Sequence, residues 1–191
     1  MLKKIFLLQK ILILSFFLIL ISLSSSFSDD REKKLNNLFN KLKLSQNSIA
    51  AAKIEEKIWK IWTSHPEDEK LTIMLAKGSV LMSKNNYDDA YLIFSKVIEL
   101  DPDWSEGWNK RATVLYLMGN YQLSQNDIDK VLHLEKRHFG ALSGQGLVQL
   151  ALNNYQNAIK SYKMVETIYP TMISPKLMIP KLKELIKKNS I

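Results

Sequence analysis

Two histidines and a carboxylate lie close together in the second half of the chain, at His133, Glu135 and His138. Such side chains bind metals when a helix brings them to one face, which requires spacings of three or four residues. The spacing of five positions from one histidine to the other, across a helix boundary, fits that geometry poorly. We therefore predict no metal site and interpret both histidines as surface or repeat-junction residues.

No other group of residues has the pattern of an active site. The sequence lacks a Gly-rich phosphate loop and a nucleophile elbow, and its serines and carboxylates form no recognisable constellation. It has no cysteine, which excludes disulfides, Cys-based zinc sites and thiol catalysis. The net charge of +8 comes from scattered lysines rather than an arginine-rich motif. We predict a protein that is not an enzyme, needs no cofactor and does not bind nucleic acid.

Residue types recur along the chain every 34 residues without an insertion. Such a period is the signature of a helical repeat. The repeated sets are Tyr87, Tyr121 and Tyr155; Ala90, Ser124 and Ala158; Val97, Val131 and Val165; Gly78, Ala112 and Gly146; and Asn86, Asn120 and Asn154. They define three units, over residues 71–104, 105–138 and 139–172.

The period and the order of small and aromatic residues resemble the tetratricopeptide repeat (TPR) family. The resemblance implies an all-α fold, an α-solenoid of antiparallel helix pairs. Small residues at the eighth position of each unit let its two helices approach closely, and Phe94, Ile128 and Tyr162 are expected to fill the space between units. The chain departs from the family at the seventh position, where Lys77, Arg111 and Gln145 replace an apolar residue.

Helical periodicity extends beyond the repeats on both sides. Residues 31–44 and 46–64 predict a helical pair within 29–66, interpreted as a degenerate N-terminal unit or cap. Residues 175–188 predict a capping helix within the C-terminal segment 173–191. Terminal caps are expected because each unit has an apolar face that only a neighbour can bury.

The N-terminus has the pattern of a targeting segment. Lysines near the start precede an apolar run over residues 11–23, and Ser26 and Ser28 stand where cleavage before Asp29 requires small residues. This pattern predicts a signal peptide over residues 1–28 and export, to the periplasm in a Gram-negative bacterium. The alternative is an uncleaved anchor in the inner membrane.

The anchor alternative uses the longer apolar stretch over residues 5–23, which is just long enough to span a bilayer. The two alternatives imply different roles. A cleaved chain would be a periplasmic adaptor that binds a protein or peptide segment. An uncleaved chain would be a membrane-tethered structural subunit of an envelope complex, and the membrane would be reached only through this N-terminus.

The family resemblance implies a concave groove, lined by the first helix of each unit, in which a ligand lies. The lining positions are Thr72, Leu75, Ser79 and Met82; Glu106, Asn109, Lys110, Thr113 and Tyr116; and Gly140, Ser143, Leu147 and Leu150. This lining has little positive charge, so we expect an extended or helical segment with apolar anchors rather than an acidic peptide tail. The alternative is a groove that is merely solvated or is covered by the protein's own N-terminal helices.

Arg111 lies in the first helix of the second unit, opposite two carboxylates of the partner helix, Asp127 and Asp129. We predict a structural ion pair, Arg111–Asp127, because partly buried pairs more often specify packing than ligand contact. Asn109 and Lys110 are then the polar residues best suited to binding.

Overall fold

The computed structural model describes residues 30–189. Within that range the chain is helical throughout and contains no strand, which confirms the all-α prediction. The first helix, α1, covers residues 30–44. It is followed by α2 (Ser48–Thr63), α3 (Glu69–Ser83), α4 (Tyr87–Leu100), α5 (Ser105–Leu117), α6 (Tyr121–Leu134), α7 (Phe139–Ala151), α8 (Tyr155–Ile168) and α9 (Ile173–Lys188).

The chain divides into two compact units, residues 1–38 and residues 39–191. The described part of the first unit, from residue 30, is helical and mostly exposed apart from the buried Leu35, with Lys34 paired to Asp30 at 2.6 Å. The predicted signal peptide or anchor lies outside the described residues. Across residues 30–189, no helix is both long and apolar enough to cross a membrane.

The second unit contains three helix pairs stacked side by side. Helix α3 packs on α4, α5 on α6 and α7 on α8, while α4–α5, α6–α7 and α8–α9 contacts join each pair to the next element. Helix α9 buries Ile179 and Leu182 in a cluster with Ile159 and Tyr162 of α8. This stack is the α-solenoid that the repeat pattern predicts.

The turn inside each pair has the same backbone in all three units. Asn85, Gly119 and Asn153 adopt positive φ angles of 59°, 79° and 60°. Glycine and asparagine tolerate this left-handed conformation, which ends the first helix and redirects the chain. In the second unit, the N–H of the next residue, Asn120, donates to the carbonyl of Leu115 at 2.8 Å, which completes the helix cap.

Glycine and a large ring face each other within two of the pairs. A Cβ on Gly78 would lie 2.5 Å from the ring of Phe94, and one on Gly146 would lie 2.6 Å from the ring of Tyr162. These rings therefore pack against the glycine of their own unit, besides filling space between units as expected. The glycines are required because any added carbon would displace a ring from a close-packed core.

Polar residues at the seventh position make hydrogen bonds inside the stack. Arg111 donates from Nε to Asp127 Oδ2 at 2.7 Å and from Nη2 to Asp127 Oδ1 at 2.8 Å. Its Nη1 also donates to Ser95 Oγ of the preceding unit at 3.2 Å. In the third unit, Ser161 Oγ donates to Gln145 Oε1 at 2.8 Å. In the second and third units, the departure from the family pattern therefore replaces apolar packing by polar contacts across the pair, whereas Lys77 of the first unit is exposed.

A candidate binding site in a partly covered groove

Helix α2 lies against the inner face of the repeats, where the sequence places the ligand groove. A Cβ on Gly140 would lie 2.6 Å from the ring of Trp59, so the indole rests directly on that glycine. The Nζ of Lys110 lies 5.7 Å from the centroid of the Trp59 ring. Trp104 Nε1 donates to the carbonyl of Trp62 at 2.9 Å. The protein's own helix therefore covers the beginning of α5 and α7.

This position differs from that of the N-terminal repeat or cap interpreted from sequence. Such a cap would stack on α3, whereas the repeat helix that α2 approaches is α5. The third position of each unit explains the difference. It is Gly107 or Ala141 where a preceding helix packs closely, but it is the larger Ile73 on α3. The larger isoleucine leaves less room for the same close approach of a preceding helix.

A buried polar cluster lies beneath α2. Glu106 is fully buried and accepts hydrogen bonds from Asn109 Nδ2 at 3.0 Å and His138 Nε2 at 3.1 Å. Lys110 Nζ lies 3.4 Å from the same carboxylate. Trp62 stacks on the His138 ring, with centroids 4.0 Å apart and planes 7° apart. The cluster thus connects α5, the start of α7 and α2.

The hydrogen bonds of His138 define its tautomer. Its Nδ1 accepts from the backbone N–H of Ala141 at 3.0 Å and caps α7, so the proton lies on Nε2 and is donated to Glu106. Burial alone would raise the pKa of Glu106. The hydrogen bond and electrostatic interaction with His138, the charge of Lys110 and the bond from Asn109 outweigh burial and hold that pKa below its ordinary value. Glu106 is therefore a carboxylate at neutral pH.

This cluster corrects the predicted roles of several groove residues. Glu106 is fully buried and accepts from Asn109 Nδ2, so its carboxylate faces away from a ligand and the amide nitrogen of Asn109 is already engaged. Lys110 is occupied by Glu106 and Trp59 rather than free for binding. Leu75 is also buried, in the core between α3 and α4. Glu106, Asn109 and Lys110 form the wall of the groove beneath α2, whereas Leu75 belongs to the core of the first pair.

The remaining predicted groove residues of the first unit, and Leu150 of the third, make contacts within the protein. Thr72 Oγ1 accepts from the backbone N–H of His65 at 2.8 Å, and Ser79 Oγ donates to its own helix. Met82 packs on the α3–α4 core, and Leu150 packs on the core shared by α8 and α9. None of these four lines the open cavity described next.

Beyond α2, an open cavity of about 240 Å³ remains between α5 and α7. Besides Asn109 at its inner wall, it brings together five other predicted groove residues, with Gly144 and Val148 beside them. The five are Thr113, Tyr116, Gly140, Ser143 and Leu147. Its surface is mainly apolar, and Tyr116 is supported by Tyr121 at a centroid distance of 5.5 Å. The arrangement can accept an apolar side chain and offers hydroxyls at its edge.

The part of Trp59, Trp62 and the buried His138 in the contact between α2 and the repeats was missed from sequence. The only signal was the spacing of the two tryptophans, which places them on adjacent positions of one helix face. Across residues 30–189, no group of three or more histidine, aspartate or glutamate side chains is placed to hold a metal ion.

Comparison with known proteins places these helix pairs in a family. The family described as tetratricopeptide repeat matches residues 71–103 and 141–171. A TPR repeat-containing protein of Rhizobium etli is 34% identical over 143 residues, which are 75% of this chain and 70% of that protein. Human RNA polymerase II-associated protein 3 is 23% identical over 106 residues, which are 56% of this chain but 16% of its own length.

Solved structures share the fold at low identity. The first TPR of Spaghetti (RPAP3) bound to the HSP90 peptide SRMEEVD has a TM-score of 0.61 at 20% identity, covering 63% of this chain and 96% of that one. A crystal structure of MamA has a TM-score of 0.57 at 17% identity, covering 82% of both chains. The chain belongs to the tetratricopeptide repeat family.

Proposed function

We propose that this chain is a non-enzymatic adaptor on the periplasmic side of the cell envelope, which binds a protein or peptide segment through an apolar anchor. The observation that carries the proposal is the open cavity between α5 and α7. At about 240 Å³, it is smaller than the roughly 300 Å³ at which small-molecule sites begin. It suits one large apolar side chain of a longer segment better than a whole metabolite.

The charges around the cavity favour this class of partner over an acidic peptide tail. Two related TPR domains are solved with the peptides SRMEEVD and SGPTIEEVD, which are acidic. Here Lys110 and Asn109 are committed to the buried carboxylate of Glu106. A carboxylate that entered the cavity would lie near the negative charge of Glu106 and would find few free hydrogen-bond donors. An apolar side chain would instead gain free energy by leaving water.

Filling the cavity provides a direct test. Gly144 lines it, and a Cβ there would meet only Ile128, at 3.8 Å, so Gly144→Leu adds an apolar side chain at ordinary contact distance. The matched control, Asn126→Leu, adds the same side chain to an exposed position of α6 outside the cavity lining. Each variant and the wild type are used to recover partners from an envelope extract.

The expected result is loss of the partner with Gly144→Leu and retention with Asn126→Leu. Equal recovery with both variants would refute binding in the cavity. Thermal unfolding of both variants serves as the folding control, because a leucine at Gly144 that destabilised α7 would also reduce recovery.

The second candidate is a membrane-tethered structural subunit. The observation that favours it is the exposed lysine-rich surface of α9, which carries Lys176, Lys181, Lys183 and Lys187 and would be attracted to anionic lipid or to an acidic subunit. The intact mass of the exported protein separates the two candidates. A chain beginning at Asp29 supports the periplasmic adaptor, and a retained Met1 supports the tethered subunit.

A further inference from the structure

One face of α3 carries an exposed stripe that alternates lysine with aliphatic residues. Its members are Lys70, Ile73, Lys77, Val80 and Lys84, at alternating spacings of three and four residues. This spacing places all five on one side of a helix. Ile73 is 60% exposed and Val80 is 52% exposed, although aliphatic side chains gain free energy by burial.

In the second unit, the positions equivalent to Ile73 and Val80 hold a neighbouring helix. Gly107 is equivalent to Ile73, and a Cβ there would lie 3.1 Å from Val97 of α4. Val114 is equivalent to Val80 and is fully buried in a cluster with Val97 and Phe94.

The third unit repeats the arrangement. Ala141 and Val148 are both buried, in a cluster with Ile128 and Val131 of α6. These positions are therefore the ones on which a preceding helix packs. On α3 they are open because α2 lies in the groove instead.

Lys77, the central lysine of the stripe, also occupies a position that contacts a preceding helix in the second unit. Arg111, the equivalent of Lys77 in the second unit, reaches across to Ser95 of the preceding helix at 3.2 Å. A helix packed on α3 would therefore bring polar groups within reach of Lys77. Three lysines on one face attract a surface with carboxylates and repel a basic one.

A second copy of this chain is a poor match for the stripe. The last helix of the stack, α9, exposes Ile173 and Leu177, which are the natural apolar partners in an end-to-end arrangement. They are flanked by the exposed Lys176 and Lys181, so stacking α9 on α3 would oppose lysine to lysine. Like charges at an interface cost free energy and suppress the association.

We propose that the exposed face of α3 is a docking surface for a helix of a different protein, whose apolar stripe is flanked by aspartate or glutamate. The partner helix takes the place that the second helix of a preceding repeat would occupy. It presents small residues opposite Ile73, because the isoleucine fills the space that glycine or alanine leaves in the other units. This surface is separate from the cavity between α5 and α7.

The test is site-specific photo-crosslinking with the full chain, in cells that produce it. A benzoylphenylalanine is placed at Ala76, which is exposed at the edge of the stripe and leaves Ile73 and Val80 intact. The crosslinked segment is identified by mass spectrometry in three backgrounds. These are the native stripe, the charge reversal Lys70→Glu with Lys77→Glu, and the control Lys163→Glu on the exposed side of α8.

The expected product joins Ala76 to a helical segment of another protein that carries several carboxylates. Its yield should fall roughly tenfold with the double charge reversal and stay unchanged with Lys163→Glu. A crosslink to a second copy of the chain, to residues 1–29 of the same chain or to a segment without carboxylates would overturn the proposal. So would a yield that is the same with and without the charge reversal, or the absence of any crosslinked product. Gly144→Leu should leave the yield unchanged, which separates this surface from the cavity.

Discussion

The buried carboxylate of Glu106 should contribute to stability far more than an exposed glutamate does. Its Oε1 accepts from Asn109 at 3.0 Å and lies 3.4 Å from Lys110 Nζ, while its Oε2 accepts from His138 at 3.1 Å. Glu106→Gln keeps the shape of the side chain but replaces one oxygen by a donor. In either orientation of the amide, that NH₂ group faces another donor, so a buried hydrogen bond is lost.

An unsatisfied buried donor costs about 1–3 kcal/mol, and more where charge is involved. We therefore expect Glu106→Gln to lower the free energy of unfolding by about 1–3 kcal/mol at neutral pH. The matched control is Glu99→Gln. Glu99 is 67% exposed and pairs with Lys96 at 2.7 Å, so its replacement should change the free energy of unfolding by less than about 0.5 kcal/mol.

The pH dependence makes the test specific for charge. The pKa of Glu106 is lowered in the folded state, so its contribution is present above the unfolded value of 4.5 and is lost as pH falls through the folded pKa. Since glutamine resembles a protonated glutamate, the difference between wild type and Glu106→Gln should shrink on acidification. Denaturant unfolding at neutral and acid pH measures it. A neutral-pH difference no larger than that of Glu99→Gln, or one independent of pH, would refute this account of the cluster.

Three further outcomes are expected. Gly146→Ala should cost about 1–3 kcal/mol in thermal unfolding, because its Cβ would lie 2.6 Å from the ring of Tyr162, whereas Gly144→Ala has room and should stay within about 1 kcal/mol of wild type. Burial raises the pKa of Tyr162 to about 12, and burial with a hydrogen bond to a glutamate raises that of Tyr169 to about 12. The stabilisation by these two protonated phenols should thus be fully present below pH 10 and be lost as pH rises towards 12. Circular dichroism measures the unfolding, and phenolate absorbance measures the ionisation. Trp59→Ala should speed amide hydrogen exchange in α2 while α5 to α8 stay protected, and uniform loss of protection would contradict a separable α2.

The repeats could be predicted because their determinants are local and occur three times. Tyr87, Tyr121 and Tyr155 each begin the second helix of a unit, as the shared period indicates. The turns before them follow from asparagine and glycine at one position. The Arg111–Asp127 contact could also be anticipated, because a fixed period places the two residues on facing helices.

A groove covered by the protein's own N-terminal helices was one alternative from the sequence, but the sequence could not select it. Ile54, Ile58, Ile61 and Trp62 predict an amphipathic helix, but hydrophobic periodicity does not say which surface that helix covers. The choice depends on residues far away in the chain. His138 shows the difficulty, because spacing alone excluded it from a metal site without indicating that it caps α7 beneath Trp62.

Two residues with opposite effects account for the position of α2. Ile73 puts a branched side chain where the other units have glycine or alanine, so a helix packs closely on α3 only if it presents small residues opposite Ile73. Gly140 removes a side chain on the inner face of α7, where any Cβ would collide with Trp59. Ile73 leaves α2 less room at the end of the stack, and Gly140 leaves it room in the groove. The same placement leaves a cavity for a single side chain and an uncovered face on α3, so Gly140→Ala should loosen α2 and enlarge the groove.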